Sequence, residues 1–205
     1  MHRGLNDRGQ TVGAYVDDGA EMGPDGFYPA DAVHGFIYTP SHNRNPRFET
    51  IDVADVGQLG FVRQPDGRYV TLDPPGGAEN KALGINDRGQ VVGTYLDDGA
   101  EPGPDGLFAA GTIHGYMWDD GRYTRLDVPG ARATVAEDVD NRGQIVGDVK
   151  DAAGRIRGFL RTRGTYTLVD GPGDRTDSIA IHTNDRGDIL IPAPGTIDAV
   201  SNIVA

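Results

Sequence analysis

The sequence contains no cysteine and only three serines and one tryptophan among its 205 residues. Without cysteine there are no disulfides, no cysteine-ligated zinc and no thiol catalysis. The serines, at positions 41, 178 and 201, lie outside any Gly-x-Ser-x-Gly pattern, which argues against a serine hydrolase. No P-loop or dinucleotide-binding fingerprint is present. No apolar run approaches the ~20 residues of a membrane-spanning helix, so we expect no membrane insertion.

Basic residues are also scarce, since 19 Lys and Arg against 31 Asp and Glu give a net charge of −12. Nucleic-acid binding draws on Lys and Arg contacts to phosphate, so DNA, RNA and anionic membranes are poor partners. The residues in excess are glycine and proline, 31 and 13 in number, which indicate many turns. The N-terminal residues 1–3 lead straight into a turn motif with no apolar segment. We therefore expect a cytosolic protein or one whose signal peptide has been removed.

Three short motifs recur along the chain and alternate with one another. The first, which we call the Asn turn, follows the pattern Asn-Asp-Arg-Gly-Gln-x-Val-Gly. The second is a glycine followed by an aromatic or closely similar residue, and the third is aromatic-x-x-[Leu/Ile/Val]-Asp. The Asn turns occupy 4–13, 84–93, 139–147 and, less regularly, 183–190; the glycine–aromatic pairs 35–36, 60–61, 115–116 and 158–159; the third motif 48–52, 69–73, 123–127 and 166–170.

Each motif indicates β structure. Asn and Asp side chains bond the backbone two residues on and glycine accepts positive φ, so the Asn turn predicts a turn. Its flanks are β-branched or alternating, which predicts strands. The pairs Asp66-Gly67, Asp120-Gly121 and Arg163-Gly164 are typical of tight hairpins. One repeat unit is therefore predicted to hold four antiparallel strands, for example 144–149, 156–161, 165–169 and 178–183.

The spacing of the Asn turns predicts the architecture. Copies at 86, 140 and 184 lie 54 and 44 residues apart, and the first interval is 80. A period of ~40–50 residues with four strands is typical of a β-propeller blade. We predict one all-β domain of about sixteen strands, a small β-propeller of four or five blades. The repeat units are about 4–53, 54–83 (partial), 84–137, 138–181 and 182–205 (partial), with one strand pair missing between 52 and 58.

These motifs resemble the HAF-type extracellular repeat family, whose repeats carry an Asn-x-x-Gly-x-Val-x-Gly turn followed by His-Ala-Phe or a close variant. The resemblance covers residues 4 to 191. It implies a β-propeller-like protein that is secreted or attached to the cell surface. This chain departs from the pattern because glycine replaces the alanine, and histidine stands in two of the four copies, at His34 and His114.

Two acidic loops are the first candidates for function. Residues 4–38 and 84–118 align without a gap and are identical at 21 of 35 positions, loops included, whereas residues 150–154 form a short turn in the third copy. The loops are solvated connectors, a calcium site or a ligand-binding rim. The calcium ligands would be Asp17, Asp18, Glu21 and Asp25 with Asp97, Asp98, Glu101 and Asp105. The rim would use Phe27, Tyr28, Leu107 and Phe108, with Trp118 as a further aromatic candidate.

The histidines His34 and His114 are the second candidates, because they are symmetric and lie on strands close to the acidic loops. Either they serve the repeat itself, or they form an acid–base pair or bind a metal. Two functions follow. The first is a non-catalytic binding or scaffold module that presents acidic loops to a glycan or protein. The alternative is a hydrolase or lyase with a pore site, with or without a divalent metal. The incomplete repeat also predicts exposed strand edges that a second copy closes, giving a homo-oligomer.

Overall fold

The computed structural model describes residues 2–5, 11–16, 33–39, 47–51, 61–63, 69–101, 103, 108–171 and 178–192. Within these ranges the chain forms sixteen strands joined by turns and contains no helix, which confirms the all-β class. No helix capable of crossing a bilayer occurs among these residues. By its internal contacts the chain divides into two units, Met1–Val56 and Gly57–Ala205.

The first unit holds one four-stranded sheet. Its strands are β1 (His2–Leu5), β2 (Thr11–Val16), β3 (Val33–Thr39) and β4 (Arg47–Ile51). Each strand pairs antiparallel with the next along the chain, so the sheet order is the sequence order. The sheet is therefore a simple meander.

The second unit repeats this arrangement twice. Its strands are β5 (Phe61–Arg63), β6 (Tyr69–Thr71), β7 (Gly77–Ile85), β8 (Val91–Asp97), β9 (Ile113–Asp119), β10 (Arg122–Leu126), β11 (Ala133–Val139), β12 (Ile145–Lys150), β13 (Ile156–Thr162), β14 (Thr165–Val169), β15 (His182–Thr183) and β16 (Ile189–Leu190). Strands β7 to β10 form one antiparallel meander and β11 to β14 another. The two meanders meet where Ala133 pairs in parallel with Ile113. Strands β5 and β6 form a hairpin, as do β15 and β16.

In both meanders of the second unit the Asn turn joins the first strand to the second. Its first side chain accepts two backbone hydrogen bonds, as the motif predicts: Asn86 Oδ1 accepts from the N–H groups of Arg88 and Gln90, both at 3.0 Å. Asp140 and Asn184 make the same pair of contacts in their turns. The predicted Asx turns are therefore confirmed in all three described copies.

Because the turn follows the first strand, each meander starts earlier than the sequence predicts. The predicted strands 144–149, 156–161 and 165–169 correspond to β12, β13 and β14, but the first strand of that sheet is β11. The predicted fourth strand, 178–183, is wrong: residues 178–181 are not in a strand, and β15 pairs with β16 instead. Asn184 closes that last hairpin, so its partner strand lies beyond the turn.

The Asn turns are also hydrogen-bonded to one another across repeats. The backbone N–H of Asp87 donates to Asn141 Oδ1, and the N–H of Asn141 donates to Asp185 Oδ1, both at 2.8 Å. The Asn86 side chain donates to the carbonyl oxygen of Asp140 at 3.0 Å. Three turns that are 54 and 44 residues apart in sequence therefore lie side by side.

The two glycine motifs are cross-strand partners. Gly93 on β8 lies opposite Tyr116 on β9, and Gly147 on β12 lies opposite Phe159 on β13. A Cβ on Gly93 would lie 2.9 Å from the ring of Tyr116, and a Cβ on Gly147 would lie 2.9 Å from that of Phe159. The glycine of the Asn turn motif thus makes room for the aromatic ring of the next strand, and both rings are buried in the core.

The hairpins closed by Asp120-Gly121 and Arg163-Gly164 are confirmed. Both central residues have positive φ, 45° and 86° in the first hairpin and 51° and 85° in the second. Positive φ at both positions defines the type I′ turn, which matches the twist of the flanking strands. The predicted hairpin at Asp66-Gly67 lies outside the described residues, as do residues 52–58, where the repeat is predicted to lack a strand pair.

Candidate functional site

A buried histidine between two carboxylates forms the candidate site. His114 lies on β9 with 2% of its surface exposed. Its Nδ1 atom lies 2.9 Å from Asp127 Oδ1, and its Nε2 atom lies 3.2 Å from Asp97 Oδ1. Asp97 ends β8 and Asp127 follows β10, and their side chains are 39% and 40% exposed. A buried imidazole thus connects two carboxylates that reach the surface.

Strand register places the other groups around His114. Tyr95 lies opposite His114 in the β8–β9 pair, and their ring centroids are 5.2 Å apart. The Thr94 hydroxyl donates to the carbonyl oxygen of His114 at 3.1 Å. Arg125 Nε donates to Asp127 Oδ2 at 2.5 Å. Burial raises the pKa of Tyr95, and the charge of Arg125 is the largest opposing effect.

The geometry of the cluster suits a structural link between β8 and β10, because neither ring nitrogen of His114 is open to a substrate. The Nδ1–Asp127 contact has the geometry of a hydrogen bond. Nε2 is buried and faces Asp97 without a hydrogen bond of normal geometry. A substrate would therefore have to displace Asp97 before it could exchange a proton with Nε2. As it stands, the histidine ties the end of β8 to the end of β10.

In the following repeat an arginine makes the contact that His114 makes with Asp127. Arg157 occupies the position of His114, directly before the glycine–aromatic pair, and its Nε and Nη2 donate to the Asp170 carboxylate at 2.8 and 2.5 Å. Asp170 ends the third motif as Asp127 does. Asp151 stands where the preceding repeat has Asp97, but its carboxylate accepts hydrogen bonds from Arg155 Nε and Nη2 at 3.0 and 2.8 Å. The hydrogen bond to Asp170, with further contributions from the charges of Asp170 and Asp151, raises the pKa of Arg157. A basic residue bonded to the aspartate of the third motif is therefore common to both repeats.

A signal for this arrangement is present in the sequence. The basic residue and the aspartate of the third motif are 13 residues apart in both repeats, His114 to Asp127 and Arg157 to Asp170. The two residues belong to different motifs, so neither motif alone indicates the contact. His34 precedes the glycine–aromatic pair of the first repeat and lies opposite Tyr15 in the β2–β3 pair, as His114 lies opposite Tyr95. Its side chain lies outside the described ones.

Three of the eight predicted calcium ligands are described. Asp98 and Glu101 are exposed, and Asp97 contacts His114. No group of three or more His, Asp or Glu side chains in the described part of the chain is arranged to hold a metal ion. The remaining predicted ligands, Asp17, Asp18, Glu21, Asp25 and Asp105, lie outside the described residues. The calcium site stays a prediction.

The predicted aromatic contacts divide in a similar way. Trp118 is 7% exposed and packs in the core with Val62, Leu72 and Val91, so it offers little surface to a ligand. Phe108 is partly buried. Phe27, Tyr28 and Leu107 lie outside the described residues.

A pair of buried carboxyl groups is a feature that the sequence analysis missed. Asp148 on β12 is 1% exposed, and its carboxyl oxygens have no hydrogen-bond partner of normal geometry among the described residues. Burial first, and then the charge of the nearby Glu137, raises the pKa of Asp148 well above its usual value. Thr94 stands at the equivalent position of the preceding repeat. The sequence contains a signal for this feature: Asp148 stands at a strand position that the other two repeats fill with Thr94 and Ala14.

Comparison with known proteins does not assign the chain to a family. The chain matches no family model and no curated protein. The functional argument therefore depends on the geometry of the described residues, and the resemblance to HAF-type repeats stays a prediction.

Proposed function

We propose that this protein is a non-catalytic binding module, a β-propeller of HAF-like repeats that presents its acidic loops to a protein or glycan ligand outside the cell. The observation that carries this proposal is the equivalence of His114 and Arg157. An arginine cannot act as a general base at neutral pH, because its guanidinium stays protonated. A position that takes either residue beside the aspartate of the third motif serves the structure of the repeat, and the loops remain as the candidates for binding.

The blade architecture is supported by the repeated meander. Three antiparallel four-stranded meanders follow one another along the chain, the last two within one eight-stranded sheet, and each has the Asn-turn sequence between its first two strands. In the second unit the first strand of one meander meets the preceding one in parallel, and the Asn turns are hydrogen-bonded in a row. Propeller blades are four-stranded sheets that repeat along the chain in this way.

The loop between β8 and β9 is additional to what the repeat needs. In the third repeat the equivalent connection is a short turn, in which Asp151 Oδ1 accepts from the N–H groups of Ala153 and Arg155 at 2.9 and 3.0 Å. In the second repeat Asp97 begins a longer connection that carries exposed acidic side chains, including Asp98 and Glu101. The repeat can therefore connect these two strands without the insertion, and inserted surface loops commonly carry binding sites.

A loop replacement tests the proposal. Residues 98–112 are replaced by the Ala-Ala-Gly-Arg sequence of residues 152–155, and residues 18–32 are replaced in the same way. Asp97 and Asp17 are retained. Wild type and variant are screened against a glycan array and against a peptide array of graded net charge, with and without calcium. We expect the wild type to bind a defined set of probes and the variant to lose that binding while its melting temperature is retained.

The control keeps both loops at full length and removes the charge of every carboxylate in the replaced segments: Asp18→Asn, Glu21→Gln, Asp25→Asn, Asp31→Asn, Asp98→Asn, Glu101→Gln and Asp105→Asn. Loss of binding in this variant places the recognition on the carboxylates, whereas retention places it on the loop backbone or aromatics. A folded wild type that binds no member of either array, or a loop-replaced variant that binds as well as the wild type, contradicts the proposal.

A further inference from the structure

A cleft lined by arginine lies at one end of the third meander, away from the His114 cluster. Its volume is about 270 Å³, and it is lined by Arg142, Gly143, Gln144, Thr162 and Arg163. The first three belong to the Asn turn between β11 and β12, and the last two to the hairpin between β13 and β14. We call this the arginine cleft. It carries two guanidinium groups and no carboxylate, in a chain whose net charge is −12.

The preceding repeat contains a carboxylate at the same place. There Gln90 Nε2 donates to Asp119 Oδ2 at 2.9 Å, which connects the Asn turn to the β9–β10 hairpin. The repeat alignment pairs Gln90 with Gln144 and Asp119 with Thr162. The third repeat thus keeps the amide donor and lacks the acceptor.

The donors that face the arginine cleft have no partner of their own. Among the described residues, none forms a hydrogen bond or an ion pair with the side chains of Arg142, Gln144 or Arg163. The charge of Arg142 contributes to the lowered pKa of Asp185, after the two hydrogen bonds from Asn141. Because Arg142 acts on Asp185 through its charge and not through a hydrogen bond, its guanidinium can still bind an anion from solution.

The backbone conformation of Arg163 is that of its hairpin turn. Its φ is 51°, a left-handed conformation that favours Gly, Asn and Asp and that a bulky side chain adopts at a cost. The preceding repeat has Asp120 at this position, with φ 45°. The hairpin thus requires positive φ at this position in both repeats, and the third repeat has a guanidinium beside the cleft where the second repeat has a carboxylate.

We propose that the arginine cleft binds the carboxylate group of a small organic acid, which takes the place of the Asp119 carboxylate of the preceding repeat. The carboxylate oxygens would accept hydrogen bonds from Gln144 Nε2 and from the guanidinium groups of Arg142 and Arg163, the donors best suited to a planar carboxylate. A volume of about 270 Å³ equals roughly nine water molecules at ~30 Å³ each. It therefore suits an acid of the size of one sugar unit. This inference does not depend on the proposed function.

Titration with sodium glucuronate, followed by NMR of the labelled full-length chain, tests the proposal. Glucose is the neutral match and sodium phosphate the competing anion. We expect saturable shifts at Gly143, Gln144 and Thr162 with glucuronate, none with glucose, and weaker binding of phosphate. Thr162→Asp supplies the carboxylate from the chain itself, and it is expected to weaken glucuronate binding about tenfold or more, since it removes a charge-assisted interaction.

The matched control is Thr167→Asp, which adds the same charge to an exposed threonine of β14 that does not line the cleft. It should change the dissociation constant by no more than about twofold, the effect of a screened surface charge. Arg142→Gln combined with Arg163→Asn is a second test, because Asn accepts positive φ and folding is retained while binding is lost. Shifts with glucose equal to those with glucuronate, phosphate binding at least as tight, or equal weakening by Thr162→Asp and Thr167→Asp would each overturn the proposal.

Discussion

Asn141 donates a side-chain hydrogen bond to Asp87 Oδ2 at 2.8 Å, although the two residues are 54 positions apart. The second hydrogen of the same amide is directed to Asp185 Oδ2 at 3.0 Å. One amide thus separates two carboxylates in neighbouring turns. The third Asn turn reads Asp-Asn where the turns on either side read Asn-Asp. This inversion gives the row its carboxylate–amide–carboxylate order and prevents three adjacent negative charges.

Asn141→Asp is expected to destabilise the second unit. The substitution removes both side-chain donors and places a third carboxylate between Asp87 and Asp185. We expect the melting temperature to fall by roughly 3–6 °C, the shift that a loss of one or two hydrogen bonds produces in a chain of this size. The loss should be smaller in high salt, because the repulsion between exposed charges is screened. Thermal denaturation at two salt concentrations measures both effects.

The double variant Asp87→Asn with Asn141→Asp is the control. It restores an amide beside the new carboxylate, so it should recover part of the stability that Asn141→Asp loses. If the double variant is as unstable as the sum of the two single variants, the residues act independently and the row of turns contributes no coupling.

Gly147→Ala is expected to be among the most destabilising substitutions in the chain. A Cβ at this position would lie 2.0 Å from the carbonyl oxygen of Val135 and 2.9 Å from the Phe159 ring. Backbone on one side and a buried ring on the other leave no room for relaxation, so we expect a loss of roughly 3 kcal/mol, the upper end of the cost of overpacking. Chemical denaturation gives the free energy of unfolding.

Gly130→Ala is the matched control, because Gly130 has a φ of 81° and open space where a Cβ would lie. Its cost is that of a left-handed conformation alone, roughly 1 kcal/mol. Equal losses in the two variants would show that close packing around Gly147 adds nothing to the cost of the substitution.

The elements that sequence reasoning predicts correctly are local ones. The Asx contacts of Asn86 span four residues, and the hairpin at Asp120-Gly121 depends on two adjacent backbone conformations. Both are determined by residue type at short range, so a motif is enough to predict them. The all-β class follows from the same motifs because they alternate so regularly.

The contacts that sequence reasoning misses are between elements. The pairing of Gly93 with Tyr116 depends on strand register, and the contact of Asp87 with Asn141 depends on how one repeat packs on the next. The prediction of a fourth strand at residues 178–183 was wrong for a related reason. An Asn turn connects a strand before it to a strand after it, and the motif does not show which pair completes a sheet. At the candidate site His114 was identified, but its two aspartates come from different motifs.

His114→Arg is expected to preserve the fold, because it copies the contact between Arg157 and Asp170 in the next repeat. We expect the free energy of unfolding to stay within roughly 1 kcal/mol of the wild type, since the new guanidinium also donates to the carboxylate. His114→Ala leaves a cavity and removes the contact to Asp127, for an expected loss of about 2 kcal/mol. Denaturation of both variants under one condition gives the comparison. An arginine variant less stable than the alanine variant would mean that the two repeats are not interchangeable here.

The buried carboxyl group of Asp148 predicts an unusual pH dependence. Because burial and Glu137 raise its pKa well above 3.8, the folded protein holds a proton that the unfolded chain releases near pH 4. Stability therefore falls as pH rises from about 4 through the raised pKa of the folded state. Asp148→Asn has nearly the same shape and does not titrate. The melting temperature of the wild type relative to this variant should thus decline with rising pH.

Measuring the difference between the two proteins isolates Asp148 from other groups. Hydrogen bonds from Asn141 and Asn184 lower the pKa values of Asp185 and Asp188, so their contribution is present above about pH 4 and is lost as pH falls through the lowered values. Both proteins share that contribution, and it has the opposite sign. Melting temperatures from about pH 4 to pH 8 cover the window. A difference that stays constant across it would mean that Asp148 is ionised in the folded protein and that its charge is compensated within the sheet.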